Sequence, residues 1–463
     1  MSKTSTSRLL CTCRDQANAR PARRRGLAGC VAVAWALGAC HDDSIWLGQN
    51  SGGINLEHCV NAECGSQTSD MTSMPAAQAC VGVGSGTVGV ALQVELQPVV
   101  CPDLVDHGCS LSHACTQEEL AGQVCSLNVL RTISAPDGAA YVLGTRNYES
   151  GETLWLAHYD AAGNNLVMNT IGSGGALEAG GRIRYGADLS VDAAGHAFVL
   201  VYESDGGPNA DAEVIERAWI GEYGADLGLL KPALPVAGVG AGYLAIDASG
   251  DLAVAGNARS NAKHGVLAEL DQAGVLRFNQ TGVRSYGSGE GAGVIGVSLD
   301  SQGVIGLAAQ RTWHVNQPVT FGFARYGSDG TLLWDRALDT PFANGELADF
   351  CGDSQGRMAL AGIPDSSSQT ITARVLGVDS AGNARFAYDL DSFDFDIETH
   401  AESGRVYVFD AKTLMEIAAD GSSCVHYALP AGFEGGAFSV ASDGELYYAG
   451  PRKAGRLHIT ASK

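Results

Sequence analysis

The sequence predicts an all-β chain folded as a β-propeller of seven four-stranded blades, preceded by a small cysteine-rich segment. A short apolar run, a turn written Asp-Gly or Asp-x-x-Gly and a second apolar run recur at intervals of roughly 40–57 residues, a spacing typical of propeller blades. The glycines of this first turn series are Gly138, Gly195, Gly250, Gly303, Gly356, Gly404 and Gly444. Only 17 % of the residues are charged and 61 are glycine, which favours short strands and tight turns over a helical bundle.

A second turn series lies between the turns of the first, so each repeat holds two hairpins and therefore four strands. In both series we expect aspartate to bind nearby backbone amides and glycine to take the positive φ that closes the hairpin. The second series comprises Asp160–Gly163, Asp271–Gly274, Gly327–Gly330, Asp379–Gly382 and Ala418–Gly421, with a weaker copy at Gly224–Gly228.

The last repeat, which begins near Phe438, has only three strands. We expect the apolar, alternating segment from Val88 to Gln97 to supply the fourth strand and close the ring, which leaves no open end blade. Six blades are the alternative, and would result if the last hairpin only completed the first blade.

Some repeats carry a longer common pattern, Asp-x-x-Gly-Asn followed by Asp-x-x-Gly, at Asp160–Asn164 with Asp192–Gly195 and again at Asp379–Asn383. These segments resemble the bacterial β-propeller repeat families of the SBBP kind. The resemblance covers about residues 130–460. It implies a propeller but no particular activity, since those families are mostly uncharacterised surface or secreted proteins.

Residues 1–39 have the features of an export signal. Arg23-Arg24-Arg25 precedes a weakly apolar stretch from Gly26 to Ala39, which is too short for a stable transmembrane helix. The stretch ends in Leu37-Gly38-Ala39-Cys40, which resembles a bacterial lipobox. In lipoproteins the cysteine of this motif, here Cys40, receives acyl chains, each buried CH₂ of which contributes about 0.8 kcal/mol to anchoring.

We therefore predict a lipoprotein signal peptide and attachment to a membrane through the lipid on Cys40. His41 stands where an aspartate is associated with inner-membrane retention, so the expected location is the cell envelope at the outer membrane or cell surface. An ordinary signal peptide with a coincidental cysteine is the alternative.

Residues 40–57 are polar and predict a flexible tether, and residues 58–126 form a cysteine-rich neck. An exported segment of this size is expected to be stapled by disulfides because it cannot build its own core. The candidate cysteines of the neck are Cys59, Cys64, Cys80, Cys101, Cys109, Cys115 and Cys125. Seven is odd, so one of them is free or pairs outside the neck.

Metal binding is the alternative for the neck, with ligand types that would suit zinc in two groups: His58-Cys59 with Cys64, and His107, Cys109, His113 and Cys115. The spacing matches no zinc signature, and no Cys-x-x-Cys pair is present there. In the propeller, predicted over residues 127–463, Cys351 and Cys424 either pair with each other or are buried as small apolar side chains.

The charge of the chain excludes one class of partner. The formal charge is −22, and the first 39 residues carry seven basic side chains and one acidic one, so the remainder is near −28. Such a surface repels phosphate backbones, and we expect no nucleic-acid binding. The sequence contains no serine-hydrolase elbow, zinc-protease motif, Walker loop or haem-attachment motif, so we predict no cofactor and no catalytic residue.

The densest acidic tract consists of Asp389, Asp391, Asp394, Asp396 and Glu398. In a strand the last three would share one face. Calcium would suit such oxygen ligands, but no calcium-binding loop follows. The first interpretation is a solvated strand edge, where charge also discourages edge pairing.

Three functions fit these observations. The first is a lipid-anchored extracytoplasmic propeller that binds a protein, glycan or other surface ligand without catalysis. The second is a scaffold subunit of the envelope, which would co-purify with stable partners. The third is a hydrolase or lyase acting on polysaccharide, with acids from several blades assembled at the mouth of the axis.

Overall fold

In the computed structural model, the described residues form β-strands and the turns between them. It describes residues 54–55, 70–80, 82–83, 87–96, 127–148, 151–164, 166–171, 187–204, 215–237, 239–258, 265–283, 293–312, 319–364, 373–390, 395–410, 413–431, 433, 436–450 and 453–460. Among these residues there is no α-helix long and apolar enough to cross a bilayer. Cys40, the leader and the neck cysteines other than Cys80 lie outside the described residues.

Five strands precede the repeats and are followed by blades 1 to 3. The first five are β1 (Ile54–Asn55), β2 (Asp70–Thr72), β3 (Gln78–Ala79), β4 (Gly82–Val83) and β5 (Thr87–Glu95). Blade 1 consists of β6 (Leu127–Ser134), β7 (Ala140–Tyr148), β8 (Gly151–Tyr159) and β9 (Val167–Thr170). Blade 2 consists of β10 (Ala187–Val191), β11 (Ala197–Ser204), β12 (Ile215–Tyr223) and β13 (Leu234–Ala237). Blade 3 consists of β14 (Val239–Ile246), β15 (Leu252–Ala258), β16 (Gly265–Leu270) and β17 (Leu276–Val283).

Blades 4 and 5 share one long strand. Blade 4 consists of β18 (Val294–Leu299), β19 (Ile305–Thr312), β20 (Val319–Tyr326) and the first part of β21 (Leu332–Gly352). The end of β21 pairs with β22 (Met358–Pro364), and β23 (Ala373–Val378) and β24 (Ala384–Leu390) complete blade 5. Blade 6 consists of β25 (Phe395–Thr399), β26 (Val406–Asp410), β27 (Thr413–Ile417) and β28 (Cys424–Ala428). Blade 7 consists of β29 (Ala437–Val440), β30 (Leu446–Ala449) and β31 (Lys453–Thr460) together with β5.

The seven-blade prediction is confirmed, including the strand that closes the ring. The strand β5 pairs antiparallel with β31 over eight residue pairs, from Thr87↔Thr460 to Glu95↔Lys453. The predicted closing segment, Val88 to Gln97, thus differs from the observed strand by one residue at its start and two at its end. Because blade 7 takes its fourth strand from the start of the chain, the six-blade alternative is wrong.

The segment before β5 follows the outer edges of the blades, and we call the strands β1 to β4 the belt. Each belt strand pairs parallel with the last strand of one blade: β1 with β13, β2 with β21, β3 with β24 and β4 with β28. The belt therefore visits blades 2, 4, 5 and 6 in chain order before β5 enters blade 7. The segments predicted as a tether (residues 40–57) and as a neck (residues 58–126) thus contribute strands to the propeller: β1 lies in the first, and β2, β3 and β4 lie in the second.

In the part of the chain that the structure describes, the apolar core is divided into seven clusters, and each lies between two successive blades. One cluster joins the last blade to the first, since Trp155 and Tyr159 of blade 1 pack with Tyr447 of blade 7 and with Val94 of β5. Sheets that present an apolar face to both neighbours must be buried on both sides. This explains why the middle strands are runs such as Ala253–Ala255 rather than an alternation of apolar and polar residues.

The turns have the predicted chemistry. All seven glycines of the first series have positive φ, between 67° at Gly404 and 86° at Gly444. In a typical turn, Oδ1 of Asp192 accepts hydrogen bonds from the backbone amides of Ala194 and His196. The weak copy of the second series differs, because Leu227 (φ 59°), rather than a glycine, takes the left-handed conformation.

Candidate functional site

Antiparallel strands place both turn series at one end of the ring, here called the turn face, because the first-to-second and third-to-fourth connections of every blade lie on the same side. The opposite end, the loop face, carries the connections between second and third strands and those between blades. Some of those connections are long, as between Thr170 and Ala187 or between Ser204 and Ile215, whereas others are short, as between Tyr148 and Gly151. Long connections are where propellers vary most freely.

One position of the innermost strand of each blade lies around the axis near the loop face. In each blade this position lies four residues before the start of the turn that connects the first and second strands. We call the seven residues at this position the axial layer. They are Arg131, Asp188, Tyr243, Gly296, Asp349, Asp396 and Ala437.

Arg131 occupies the middle of this layer. Its guanidinium lies 3.4 Å from Oδ1 of Asp188 (through Nε), 3.6 Å from Oδ1 of Asp349 and 3.7 Å from Oδ1 of Asp396 (through the terminal nitrogens). Blade 1 thus reaches across the axis to blades 5 and 6 as well as to its neighbour, blade 2. The arginine side chain is 26 % exposed and those of the three aspartates are 12–16 % exposed, so water has limited access to the cluster.

The three aspartates also hold successive blades together. The second carboxylate oxygen of each accepts a hydrogen bond from a backbone amide of the next blade: Asp188 from Leu244 at 2.8 Å, Asp349 from Ile397 at 2.9 Å, and Asp396 from Phe438 at 2.8 Å. Two of them, Asp188 and Asp349, accept a further bond through Oδ1 from the amide of the residue that follows. Charge-assisted bonds of this kind are stronger than neutral ones, so each carboxylate has both a structural and an electrostatic role.

Burial changes the protonation of the cluster. It raises the pKa of Asp396 well above the usual value, and the charge of Asp349 and a hydrogen bond between the two carboxyl groups raise it further. Burial also raises the pKa of Glu398 to about 8 in spite of the opposing charge of Arg131. Burial acts to lower the pKa of Arg131, but the charges of Asp349, Asp188 and Asp396 outweigh it and raise that pKa well above the usual value. At neutral pH Glu398 therefore retains a proton, while Arg131 stays a fixed cation.

A second layer lies two residues further along the innermost strands, toward the turn face. It contains Glu398, the buried thiol of Cys351 and the hydroxyl of Ser439, which is 4 % exposed and has no hydrogen-bond partner among the described residues. Burial raises the pKa of Cys351 well above the usual value, and the charge of Glu398 raises it further. This thiol is protonated and unreactive, which agrees with the prediction of a buried small side chain.

For two residues of the acidic tract the predicted environment is wrong. Asp396 and Glu398 were expected at a solvated edge, but they lie on β25, the innermost strand of blade 6, and face the axis. The alternation correctly put both on one side of a strand. Asp389 lies on β24 and pairs with Arg374 at 2.7 Å, whereas Asp391 and Asp394 have no described side chain. The sequence analysis does not identify Arg131. A signal was present, because Arg131 lies four residues before the turn that begins at Ala135, just as Asp188 lies four residues before the turn that begins at Asp192.

Cysteines and possible metal ligands lie elsewhere. Cys80 of the belt forms a disulfide with Cys424 of blade 6, with the two Cα atoms 5.5 Å apart. The suggested pair of Cys351 with Cys424 is therefore wrong, and the odd neck cysteine does pair outside the neck. The axial carboxylates of Asp188, Asp349 and Asp396 converge on the guanidinium of Arg131, a cation supplied by the protein itself.

Comparison with known proteins adds to the description of the fold. No family model matches the chain, and no curated protein matches it. Solved structures do: a streptogramin B lyase (14 % identity, TM-score 0.45, covering 73 % of this chain and 95 % of that one), a polysaccharide lyase (12 %, 0.45, 80 % and 98 %) and virginiamycin B lyase from Staphylococcus aureus (11 %, 0.42, 73 % and 97 %). At these identities and TM-scores the likeness carries no argument about activity.

Proposed function

We propose that this protein is a lipid-anchored, extracytoplasmic binding module whose ligand, a protein or glycan, docks at the loop-face mouth of the axis. The observation that carries the proposal is the convergence of Arg131, Asp188, Asp349 and Asp396 from four blades at one partly accessible point. A cluster with more carboxyl groups than cations suits a ligand that offers ammonium or guanidinium groups, or many hydroxyls. Pockets with a few convergent polar groups are the default binding sites of such folds.

The carboxylates themselves favour binding over catalysis. Asp188, Asp349 and Asp396 each give one oxygen to an amide of the next blade, and the other faces Arg131. A side chain held at both oxygens is well suited to present a rigid, charged surface, because preorganisation lowers the cost of binding.

Attachment to the envelope is a separate part of the proposal, and it rests on the lipobox at Cys40. Replacing Cys40 by Ser removes the acylated atom and should move the protein from the membrane fraction to the soluble extracytoplasmic fraction. A matched change of a leader cysteine, C30S, should leave the protein in the membrane fraction. Membrane retention of the C40S protein would contradict the lipid anchor.

Binding can be tested with the mature chain immobilised and exposed to a glycan array and to solubilised envelope proteins. Any ligand found is then titrated against two matched variants, D396N at the axis and D389N on the outer strand of blade 5. We expect D396N to weaken binding at least about tenfold, the effect of losing roughly 1.4 kcal/mol, and D389N to leave it unchanged. Equal binding by wild type and D396N would place the ligand elsewhere.

A second function, polysaccharide hydrolysis or elimination, is favoured by one observation. Asp349 and Asp396 lie in contact at the axis, and Glu398 holds a proton at neutral pH. Glycoside hydrolysis uses a protonated carboxyl as acid and an ionised one as nucleophile or base, roughly 5 Å or more apart, so Glu398 is the candidate acid. Turnover of a polysaccharide by the mature chain, abolished in D396N but retained in D389N, would establish catalysis in place of simple binding.

A further inference from the structure

The joint between the belt and blade 6 brings a histidine next to the disulfide. Cys424 and His426 are two residues apart on β28, so their side chains lie on the same side of the strand. Cys80 directly follows β3 and lies two residues before β4, and β4 pairs parallel with β28 through Val83↔His426 and Gly82↔Val425. The two sulfur atoms and a ring nitrogen of His426 all lie within 4.8 Å of one another.

The ring of His426 has one nitrogen whose hydrogen-bonding capacity is unused among the described residues. Its Nε2 is buried and has no hydrogen-bond partner among the described residues. An imidazole nitrogen left without a partner inside a protein loses the hydrogen bond it would make with water, which costs about 1–3 kcal/mol. Its place beside two sulfur atoms is best explained by an occupant that the oxidised joint does not bind.

We propose that Cys80, Cys424 and His426 form a zinc site when the disulfide between the two cysteines is reduced. Thiolate sulfur and imidazole nitrogen are the ligands that zinc prefers, at about 2.3 Å and about 2.0–2.1 Å. Tetrahedral geometry at these bond lengths separates the ligand atoms by roughly 3.3–3.8 Å, so the three groups need only small side-chain movements. A water molecule completes the four ligands.

The chemistry balances with a dithiol as reductant. The dithiol gives two electrons and two protons to the disulfide, which becomes two thiols, while the dithiol itself becomes a disulfide. Zinc then binds the two sulfur atoms as thiolates, and both thiol protons leave to solvent. The belt is thus fastened to blade 6 by a covalent bond in the oxidised protein and by a metal in the reduced protein.

The test uses the mature chain, reduced with a dithiol, desalted without oxygen and treated with iodoacetamide with or without Zn²⁺. Peptide mass spectrometry reads the alkylation of each cysteine separately, so other thiols do not interfere. We expect zinc to slow alkylation of both Cys80 and Cys424 at least about tenfold, because bound thiolates are poor nucleophiles. Replacement of zinc by Co²⁺ should add a thiolate-to-cobalt absorption band.

Matched histidine variants make the test specific. H426Q keeps a side chain of similar size, and we expect it to lose most of the zinc protection and to weaken the cobalt band. H458Q is the control, since Nδ1 of His458 is also buried without a described partner but lies on β31, away from both cysteines. The circular dichroism of each variant confirms that it is folded. Alkylation of Cys80 and Cys424 unaffected by zinc, or equal protection in wild type and H426Q, would overturn the proposal.

Discussion

A terminal guanidinium nitrogen of Arg131 lies 3.7 Å from Oδ1 of Asp396 across the axis, and this contact joins blades 1 and 6, which are not neighbours in the ring. The apolar clusters each connect only two successive blades. The arginine therefore adds a connection of a different kind, one that holds the inner circumference together.

Arg131→Met should destabilise the ring strongly. The change removes the cation that faces Asp188, Asp349 and Asp396, and leaving buried charges without a partner costs about 3–5 kcal/mol. Urea unfolding followed by fluorescence measures the loss. R374M is the matched control because Arg374 pairs with Asp389 on partly exposed strands, where an ion pair contributes about 0–1 kcal/mol. Equal losses in the two variants would refute a special role for the axial arginine.

Glu398→Gln should change how stability depends on pH. The usual pKa of glutamate is 4.5 and burial raises it to about 8 here, so between these values the folded protein holds a proton that the unfolded chain releases. The contribution of Glu398 to stability therefore falls as the pH rises from about 4.5 to 8. Glutamine cannot ionise, so the melting temperature of E398Q should equal that of wild type near pH 5 and exceed it at pH 8.

The control for this effect is E402Q, because Glu402 is exposed in the turn after β25. Its melting temperature should follow that of wild type at every pH. A constant difference between E398Q and wild type from pH 5 to pH 8 would mean that Glu398 is ionised throughout.

Two valines of the closing strand β5 test how the ring is sealed. Val94 is 6 % exposed and packs with Trp155 of blade 1, whereas Val90 on the same strand is 41 % exposed. Val94→Asp would bury a charge in the cluster between blades 7 and 1, which costs several kcal/mol, and should leave β31 as an open edge prone to aggregation. Val90→Asp should change the unfolding free energy by less than about 0.5 kcal/mol.

Light scattering during heating compares the two valine variants directly. The V94D protein should aggregate at a lower temperature than V90D and wild type. Indistinguishable curves would show that the ring does not depend on the strand contributed by the start of the chain.

Cys424→Ser removes the covalent joint of the belt. The disulfide links residues 344 positions apart, and cross-links over long loops stabilise proteins by about 2–5 kcal/mol. Limited proteolysis should therefore cut the segment around residues 70–80 much faster in C424S than in wild type. C351A, which removes a buried thiol but keeps the disulfide, should be cut at the wild-type rate; equally fast cutting of both variants would argue against the joint.

The repeat and its turns could be predicted because their causes are local. An aspartate that binds two nearby amides and a glycine with positive φ act within five residues. Asp192 and Gly195 therefore predict a turn without any information about the rest of the fold. The closing strand was also predictable, because blade 7 lacks one strand and the alternation in Val88–Val94 fits a half-buried one. Leu227 is an exception to this local rule. It packs among residues of blades 1 and 2 and has the left-handed backbone conformation that glycine takes in the other turns.

The axial site depends on the closure of the ring. Alternation puts Asp396 and Glu398 on one side of a strand, but it does not say that this strand is the innermost of its blade. Arg131 and Asp396 stand far apart in the chain, and they meet only because seven wedges close around an axis. The pairing of Cys80 with Cys424 has the same origin: no spacing in the chain predicts it, and it follows from the path of the belt along the outer strands.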